Sequence, residues 1–448
     1  MLEKIPKNII KNISLFLLTF LIIDYSPSML NEIQPDSEDY QSFHETRQST
    51  YYLIIQSLEV LGIDLILFQK LILSLSITAI FFLLKKQTNF FLCLVAYSLI
   101  IFNIYYTSFS KTILTEAFLF SFINFAVVLL FDLKKNKEII FFSFCCGIIA
   151  SLKPIGIPIA LTLITIAIIK TKKLNQFFLL IGIFLIPNII ENFFFYNHFK
   201  ERESVFKYSV TGKLFILSGK DSFKIEDYPE NLHKLLSASK KEFQPIHQYL
   251  DSIDNIFLRS ELHSDYEVVA QFQAFNFESI AKINFEKKII FDNSSKIFFQ
   301  IIKNNFSDYL MLSFYNYLGN WSISSKTRFL DINKKEIPRY NELENSSGPI
   351  SIPNLNLIKL AQYFFFFLFF ILTLYTLFIL ISFLRINKTK LMFESYSLIF
   401  IIQSYLILVS LTNVSTPRYL MPVYTLIIVI FVEFVNLFIK QKKNNFSN

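Results

Sequence analysis

Glycine, cysteine and charged residues are all scarce in this chain of 448 residues. Only eight glycines are present, too few for a segment rich in the tight turns of a β sandwich, so the polar middle of the chain is predicted to be α-rich. Three cysteines, all inside apolar runs, exclude a disulfide framework or a cysteine metal motif elsewhere. Charged residues make up 17% of the chain, against roughly 25% in soluble domains.

Apolar residues are correspondingly abundant. They supply 53% of the chain, 54 residues are phenylalanine, and the mean hydropathy is +0.45. One water-soluble core cannot hide so much apolar surface, so a lipid bilayer is the expected solvent. The net charge of +8 arises from lysines clustered between apolar runs. Because no basic stripe with interleaved aromatic residues lies outside these runs, we expect no nucleic-acid partner.

Ten apolar runs predict an all-α polytopic membrane protein with about ten transmembrane helices. Most runs approach the roughly 20 residues that a helix needs to cross the hydrocarbon. The two short runs near residue 153 are predicted as two tight spans, with a re-entrant pair as the alternative. The ten runs are Ile9–Ile23, Asp64–Leu84, Phe90–Tyr106, Ile113–Leu133, Ile139–Leu152, Ile155–Ile169, Phe177–Tyr196, Leu357–Leu384, Leu391–Leu411 and Tyr419–Ile439.

The distribution of lysine predicts the orientation. Every second loop is basic, beginning with Lys85-Lys86 and ending with Lys440-Gln441-Lys442-Lys443, whereas the first intervening loop is acidic. This bias predicts a cell inner (plasma) membrane protein with both termini in the cytoplasm. The predicted organisation is seven spans in residues 1–196, a largely helical periplasmic loop domain in residues 197–356, and three spans in residues 357–448.

Two segments outside the spans are long. The first outside loop, residues 24–63, is predicted to carry catalytic residues and an amphipathic interfacial helix at Ser49–Leu61, because Tyr52, Ile55 and Leu58 recur at helical spacing. In the second, the stretch Phe277–Trp321 has helical periodicity and ends in an aromatic cluster that suits a membrane interface.

Four ionisable residues lie where charge is costly, at the outside edge of the apolar runs: Asp36, Glu116, Lys153 and Arg418. Each has a plainer interpretation, namely a solvated loop for Asp36, an ion pair with Lys111 or a helix-start position for Glu116, and interfacial anchors for the two cations. Together, however, they suit transfer of a group from an anionic phosphate carrier. Cations neutralise a phosphate leaving group, and a carboxylate takes the proton from an incoming hydroxyl.

Five short pieces in the chain resemble a known family in their order. They are Pro35-Asp36-Ser37-x-x-Tyr40, Leu114-Thr115-Glu116-Ala117-Phe118-Leu119-Phe120, Ser151-Leu152-Lys153-Pro154-Ile155-Gly156, the stretch Ile301–Leu310 that leads to Trp321, and Arg418-Tyr419-Leu420-Met421-Pro422. This series is similar to the membrane-embedded glycosyltransferases of the C fold. These include protein O-mannosyltransferases and the lipid A aminoarabinose transferase.

The resemblance implies an inverting transfer of a sugar from a polyprenyl-phosphate donor to a glycan, lipid or protein acceptor. Asp36 and Glu116 would be the catalytic residues. Because Ser37 stands where the family often has a second acidic residue, Glu38 or Asp39 could share the role of base. A divalent cation stays open as a cofactor. The implied substrate-binding residues are Glu38, Asp39, Tyr40, Lys111, Lys153, Arg418 and Tyr419.

Two other classes of protein remain as alternatives. An O-antigen polymerase or ligase would use arginine and histidine residues of the large loop. The candidates are Arg202, His233, His247, Arg259 and His263. A transporter would place polar residues or broken helices near the bilayer midplane, often in repeated halves. The centres of these spans are almost purely apolar and no two halves match, which disfavours a transporter.

Overall fold

A computed structural model of the chain describes residues 7–34, 36–171, 173–200, 202, 205–254, 256–263, 293–321, 355–384, 390–412 and 417–446. This part of the chain is helical and contains no β strand. Parts of the predicted loop domain lie outside the described residues, including residues 264–276, residues 277–292 of the stretch Phe277–Trp321, and residues 322–354. The chain divides into two compact units. Unit 1 is Met1–Arg202, Leu368–Tyr405 and Met421–Asn448, and unit 2 is Glu203–Phe367 and Leu406–Leu420.

Every predicted apolar run coincides with at least one helix. In the first 202 residues the helices are α1 (Lys7–Tyr25), α2 (Ser37–Gln41), α3 (Ser49–Val60), α4 (Leu65–Gln87), α5 (Phe90–Ile101), α6 (Ile104–Ser108), α7 (Glu116–Phe131), α8 (Asn136–Leu152), α9 (Gly156–Thr171) and α10 (Leu174–His198). Those that follow are α11 (Val205–Ser218), α12 (Glu230–Asp251), α13 (Ile256–His263), α14 (Ser294–Asn304), α15 (Phe306–Gly319), α16 (Leu355–Leu384), α17 (Lys390–Thr412) and α18 (Met421–Phe446).

Several of these helices could span a membrane. Four in the described part are long and apolar enough, at Leu65–Gln87, Leu174–His198, Tyr363–Ile381 and Ser395–Thr412. The pair α5 and α6 makes a fifth if it is counted as one bent span. The predicted count of ten is therefore not confirmed. Helices α7 and α9 are apolar but have only 16 residues each, short of the roughly 20 that span the hydrocarbon without adjustment.

The predicted run Phe90–Tyr106 forms two helices, because the chain bends by 56° between Phe90–Ile101 and Ile104–Lys111. Asn103 stands at the break, and its side-chain oxygen accepts a hydrogen bond from the backbone N–H of Tyr106 at 3.0 Å. An asparagine that caps a new helix in this way satisfies an N–H group that an uninterrupted helix would have paired with a carbonyl.

Helix α3 confirms the predicted helix after the acidic loop, but the buried face differs from the predicted one. Tyr51, Ile55 and Leu58 are buried, whereas Tyr52 is only partly buried. The face packs on α8, α10 and α4 of unit 1. Tyr51 takes the position because its ring packs edge-on against Phe118 and its hydroxyl donates to Gln69 at 2.7 Å.

Two glycines allow α8 to pack closely on its neighbours. A Cβ atom at Gly147 would lie 2.7 Å from the carbonyl oxygen of Phe184 and 2.8 Å from the ring of Pro187, both in α10. A Cβ at Gly156 would lie 2.1 Å from the carbonyl oxygen of Ile149. Because real Cβ contacts are longer than this, both positions require glycine, and they hold α8, α9 and α10 together around the turn that carries Lys153.

Unit 2 is built on amphipathic helices. Apolar side chains of α11, α12, α14 and α15 form a core that includes Phe215, Leu236 and Ile301.

A buried lysine also lies in unit 2. Lys213 donates to the carbonyl of Ser410 at 3.2 Å, in the last turn of α17, where a cation complements the helix dipole. Burial lowers the pKa of Lys213 to about 7.

Two buried histidines lie side by side in unit 2. The rings of His247 and His263 are centred 6.0 Å apart, and His263 stacks on Tyr315 at 4.7 Å. His247 donates from Nε2 to the carbonyl of Ile216 at 2.6 Å. Burial, reinforced by the nearby charge of Lys220, lowers the pKa of His247 to about 4. Burial also lowers the pKa of His263 well below its usual range, so both rings are neutral at pH 7.

We therefore expect the protein to lose stability as the pH falls from about 6.5 towards 4. The unfolded chain binds a proton at each histidine with a pKa near 6.5, whereas folded His247 resists protonation down to about 4. For His247 alone, the free energy of unfolding should fall by about 3 kcal/mol across this window. Thermal unfolding of the full chain in detergent at a series of pH values measures the effect.

His247→Gln, which retains a donor for the carbonyl of Ile216, should reduce this pH dependence. A wild-type unfolding temperature that is the same at pH 7 and pH 5 would contradict the expectation.

Candidate functional site

The acidic loop after α1 is held against the start of α7. The hydroxyl of Ser37 donates to the carbonyl of Ile113 at 2.9 Å, and the N–H of Ile113 donates to the carbonyl of Glu32 at 2.8 Å. Ser37 is fully buried, and its hydroxyl also accepts the N–H of Gln34. These contacts fix the chain on either side of Asp36. They bind the loop to Ile113, which is three residues before Glu116 in the sequence.

Asp36 forms an ion pair with Arg47. The distance from Oδ1 to Nη2 is 2.8 Å, and the same guanidinium binds Asp39 through Nε at 3.1 Å and Nη2 at 2.8 Å. Asp36 stands at the start of α2 but makes no capping bond there. The guanidinium also lies 5.1 Å from the ring centre of Tyr40. Burial opposes the charge on Arg47, yet Tyr40, Asp36 and Asp39 outweigh it and raise the pKa, so Arg47 remains a cation.

Glu116 and Lys153 form a second ion pair. Lys153 Nζ lies 2.8 Å from Glu116 Oε1, with only 3% of the glutamate side chain and 16% of the lysine side chain exposed. Glu116 is the first residue of α7, where a carboxylate is favoured by the helix dipole. Lys153 directly follows α8, and the turn to α9 aims it back at α7. The pair thus joins the ends of three helices.

Two tyrosines link the two ion-paired groups. The ring of Tyr40, which faces Arg47, is centred 5.3 Å from the ring of Tyr51 in an edge-on contact. Burial, and next the charge of Glu116, raise the pKa of Tyr51, so its hydroxyl stays protonated and able to donate. Gln69 accepts that bond and itself donates to the carbonyl of Thr112 at 2.8 Å. The sequence-predicted residues Asp36, Asp39, Tyr40, Glu116 and Lys153 therefore lie in one region of unit 1.

Lys111, an implied substrate-binding residue, binds the end of α1 and not the carboxylates of this region. Its ammonium donates to the backbone carbonyls of Asp24, at 2.9 Å, and Ser26. It therefore holds the end of α1 in place, and the interpretation that pairs it with Glu116 is wrong because Lys153 forms that ion pair. Glu38 also stands apart, since its side chain is exposed in the first turn of α2.

Arg418 and Tyr419 lie in unit 2, in a 3-10 helix at Pro417–Tyr419. Both side chains are half-buried. Their implied role as substrate-binding residues stays a prediction of the sequence.

The described residues contain no group of three or more His, Cys, Asp or Glu side chains arranged as metal ligands. Asp36 and Asp39, which could have supplied two ligands, share Arg47 between them. This region of unit 1 contains three carboxylates and two cations beside tyrosine rings. The carboxylates can accept a proton, and the cations can bind an anion.

No protein-family model, curated protein or solved structure matches this chain. The resemblance to glycosyltransferases of the C fold therefore rests on the five sequence pieces alone.

Arg47 is the residue of this site that the sequence does not point to. It lies in His44-Glu45-Thr46-Arg47-Gln48, a polar stretch outside every apolar run, so no cost of burial draws attention to it. The available signal is charge balance, because an acidic loop of this density that folds onto a helix bundle needs a cation to neutralise it.

We expect the ion pair of Glu116 and Lys153 to be strongly coupled. Lys153→Met leaves the buried carboxylate without its cation and should lower the free energy of unfolding by about 3–5 kcal/mol. Glu116→Gln combined with Lys153→Met should recover a large part of this loss, because no charge is then left without a counter-charge. Unfolding in detergent, compared across the two single variants and the double variant, measures the coupling.

The matched control is Lys86→Met, which breaks the exposed ion pair with Asp132 and should cost less than about 1 kcal/mol. Losses in the two single variants that simply add up in the double variant would contradict the coupling.

Proposed function

We propose that this chain is an integral membrane glycosyltransferase that moves a sugar from a polyprenyl-phosphate donor to an acceptor hydroxyl at the outer face of the membrane, with inversion. The observation that carries the proposal is the position of the acidic loop. Its binding to the start of α7 brings Asp36 into the same region of unit 1 as the ion pair of Glu116 and Lys153.

On the donor side, Lys153 is the group for the phosphate. When the bond between the anomeric carbon and the phosphate oxygen breaks, negative charge grows on the leaving phosphate, and a nearby ammonium stabilises it. The mostly buried position of Lys153 strengthens this interaction relative to water. Glu116 orients the ammonium through their shared hydrogen bond.

On the acceptor side, Asp36 is the base. Its carboxylate takes the proton from the acceptor hydroxyl as the oxygen attacks the anomeric carbon from the face opposite the phosphate, which inverts that carbon. Asp36 is half-buried, with 32% of its side chain exposed, which leaves an acceptor a path to it.

The alternative of an O-antigen polymerase or ligase depends on arginine and histidine residues of the large loop, and the contacts of these residues give it little support. Arg202 is ion-paired with Glu191 at 2.6 Å, and His233 bonds the carbonyl of Tyr228 at 2.8 Å. His247 and His263 are only 4% and 1% exposed, too enclosed to meet a polysaccharide substrate.

Asp36→Asn should abolish sugar transfer, because an amide cannot take the proton of the acceptor hydroxyl, and should leave the protein folded in the membrane. The assay incubates purified protein in liposomes with a polyprenyl-phosphate sugar and analyses lipid and glycan products by mass spectrometry. Glu38→Gln and Asp39→Asn, assayed in parallel, identify which carboxylate is the base.

Glu45→Gln serves as the matched control, because Glu45 is an exposed carboxylate of the same loop. Full transfer activity in Asp36→Asn would remove Asp36 as the base.

The proposed orientation places the acidic loop outside the cell and the basic loops inside. A cysteine introduced at exposed Ser42 should react with a membrane-impermeant maleimide in intact cells, whereas one at exposed Lys137 should react only after the membrane is opened. The three native cysteines are buried, so background labelling should be low.

Ser42 is the suitable loop position because neighbouring Ser37 is buried and would not be labelled in either orientation. Labelling of the cysteine at position 137 in intact cells would show that the orientation is opposite to the proposed one.

A further inference from the structure

Arg47 and the residues that follow it connect the acidic loop to α10. The N–H of Ser49 donates to Glu191 Oε1 at 3.1 Å, and the hydroxyl of Ser49 donates to the backbone carbonyl of Glu191 at 2.9 Å. The side chain of Gln48 donates to the carbonyl of Ala150, near the end of α8, at 3.3 Å. The backbone two residues beyond Arg47 is therefore fixed to two helices of unit 1.

Glu191 is itself held by a cation. Arg202 donates from Nη2 to Glu191 Oε1 at 2.6 Å, and its guanidinium lies 4.1 Å from the ring centre of Phe195, one turn further along α10. The Glu191 side chain is only 2% exposed, so a carboxylate here is tolerated because it is paired and hydrogen-bonded. Both Ser49 and Arg202 bind the same oxygen, which fixes the position of Ser49 relative to α10.

From this fixed position Arg47 reaches two carboxylates at once. Asp36 and Asp39 would repel each other if they were brought together without a cation. A planar guanidinium can donate in several directions within one plane, whereas an ammonium acts as a single point of charge. The face of Tyr40 lies under the guanidinium and limits its movement.

We propose that Arg47 is a positioning residue for the transfer reaction, which holds the carboxylates of Asp36 and Asp39 in place from an anchor formed by Ser49, Glu191 and Arg202. This inference rests on the proposed function, because it assigns Arg47 an effect on the base. Arg47 acts through Asp36 and not on the sugar, so its loss should alter the ionisation and the geometry of the base.

The first arm of the test requires no activity. Hydrogen–deuterium exchange of the full chain in detergent is followed at the backbone amides of Ser42, His44 and Arg47, which are bonded within the loop to Glu38, Asp39 and His44. Arg47→Gln should speed exchange at these amides by about tenfold, because hydrogen bonds to charged groups are lost. Arg47→Lys should give an intermediate rate. Unchanged rates in Arg47→Gln would overturn the proposed clamp.

The anchor is tested by Glu191→Gln and, because that change alters a buried carboxylate, also by the milder Ser49→Ala, which removes only the hydroxyl bond. Both should speed exchange at the same amides. The matched control is Lys86→Gln, which breaks an exposed ion pair of unit 1 and should leave the loop unchanged. Loop exchange that is unchanged in both anchor variants would overturn the role of the anchor.

The second arm measures sugar transfer against pH. Removing a cation beside Asp36 makes its carboxylate easier to protonate, so Arg47→Gln should move the acid limb of the kcat/KM profile to higher pH and lower kcat more than it changes the donor KM. Arg47→Lys should restore part of both. A purely structural role would lower the amount of active protein and leave the profile in place.

The two arms separate the two claims. Faster exchange in Arg47→Gln with an unchanged pH profile would overturn the positioning role and leave the proposed function standing. A wild-type chain that transfers no sugar from a polyprenyl-phosphate donor would overturn the proposed function, while the exchange rates would still decide whether Arg47 clamps the loop.

Discussion

The ion pair of Glu116 and Lys153 is the interaction on which the rest of this site depends. A carboxylate with 3% of its side chain exposed, at the start of an apolar helix, is tolerable only with a cation beside it. Lys153 can be that cation because the chain reverses between α8 and α9, and the reversal is possible because Gly156 has no Cβ to meet the carbonyl of Ile149. Packing and charge thus impose the same geometry on this turn.

The acidic loop follows from this arrangement. It binds the segment just before Glu116 through backbone groups and one serine hydroxyl, and it brings its own cation, Arg47. Each cation of the site is therefore paired with carboxylates before any substrate is present. In the proposed reaction, an anionic donor would enter a region whose charges already have partners, so its binding would require Lys153 or Arg47 to exchange a carboxylate for the donor phosphate.

The positions of the helices could be predicted from the sequence, because long apolar runs with polar ends have few other structures available to them. The number of spans could not, since run length alone does not separate a 16-residue helix such as α7 from a full crossing. The bend at Asn103 depends on a single cap inside an apolar run. On α3, Ile55 and Leu58 are buried as predicted, but Tyr51 takes the place of Tyr52 because its hydroxyl finds Gln69 of α4 as a partner, a contact between two helices.

For the candidate site, the residues beside apolar runs could be predicted, because a charge there is conspicuous. Arg47 could not, because it lies among polar residues and its importance arises only when the loop folds. Lys111 shows the converse error, since a lysine five residues before Glu116 suggests an ion pair, yet its ammonium meets backbone carbonyls at the end of α1.

The close contact between Gly147 and α10 also affects the acidic loop, which is bound to α10 through Glu191. Pro187 and the carbonyl of Phe184 fit against a residue that has no side chain, and Glu191 lies one turn beyond that proline on the same helix. An alanine at position 147 would push α10 outward, and the displacement would move Glu191 away from Ser49. A methyl group added among apolar side chains would in this way shift the acidic loop, so a change that disturbs the candidate site need not alter a charged residue.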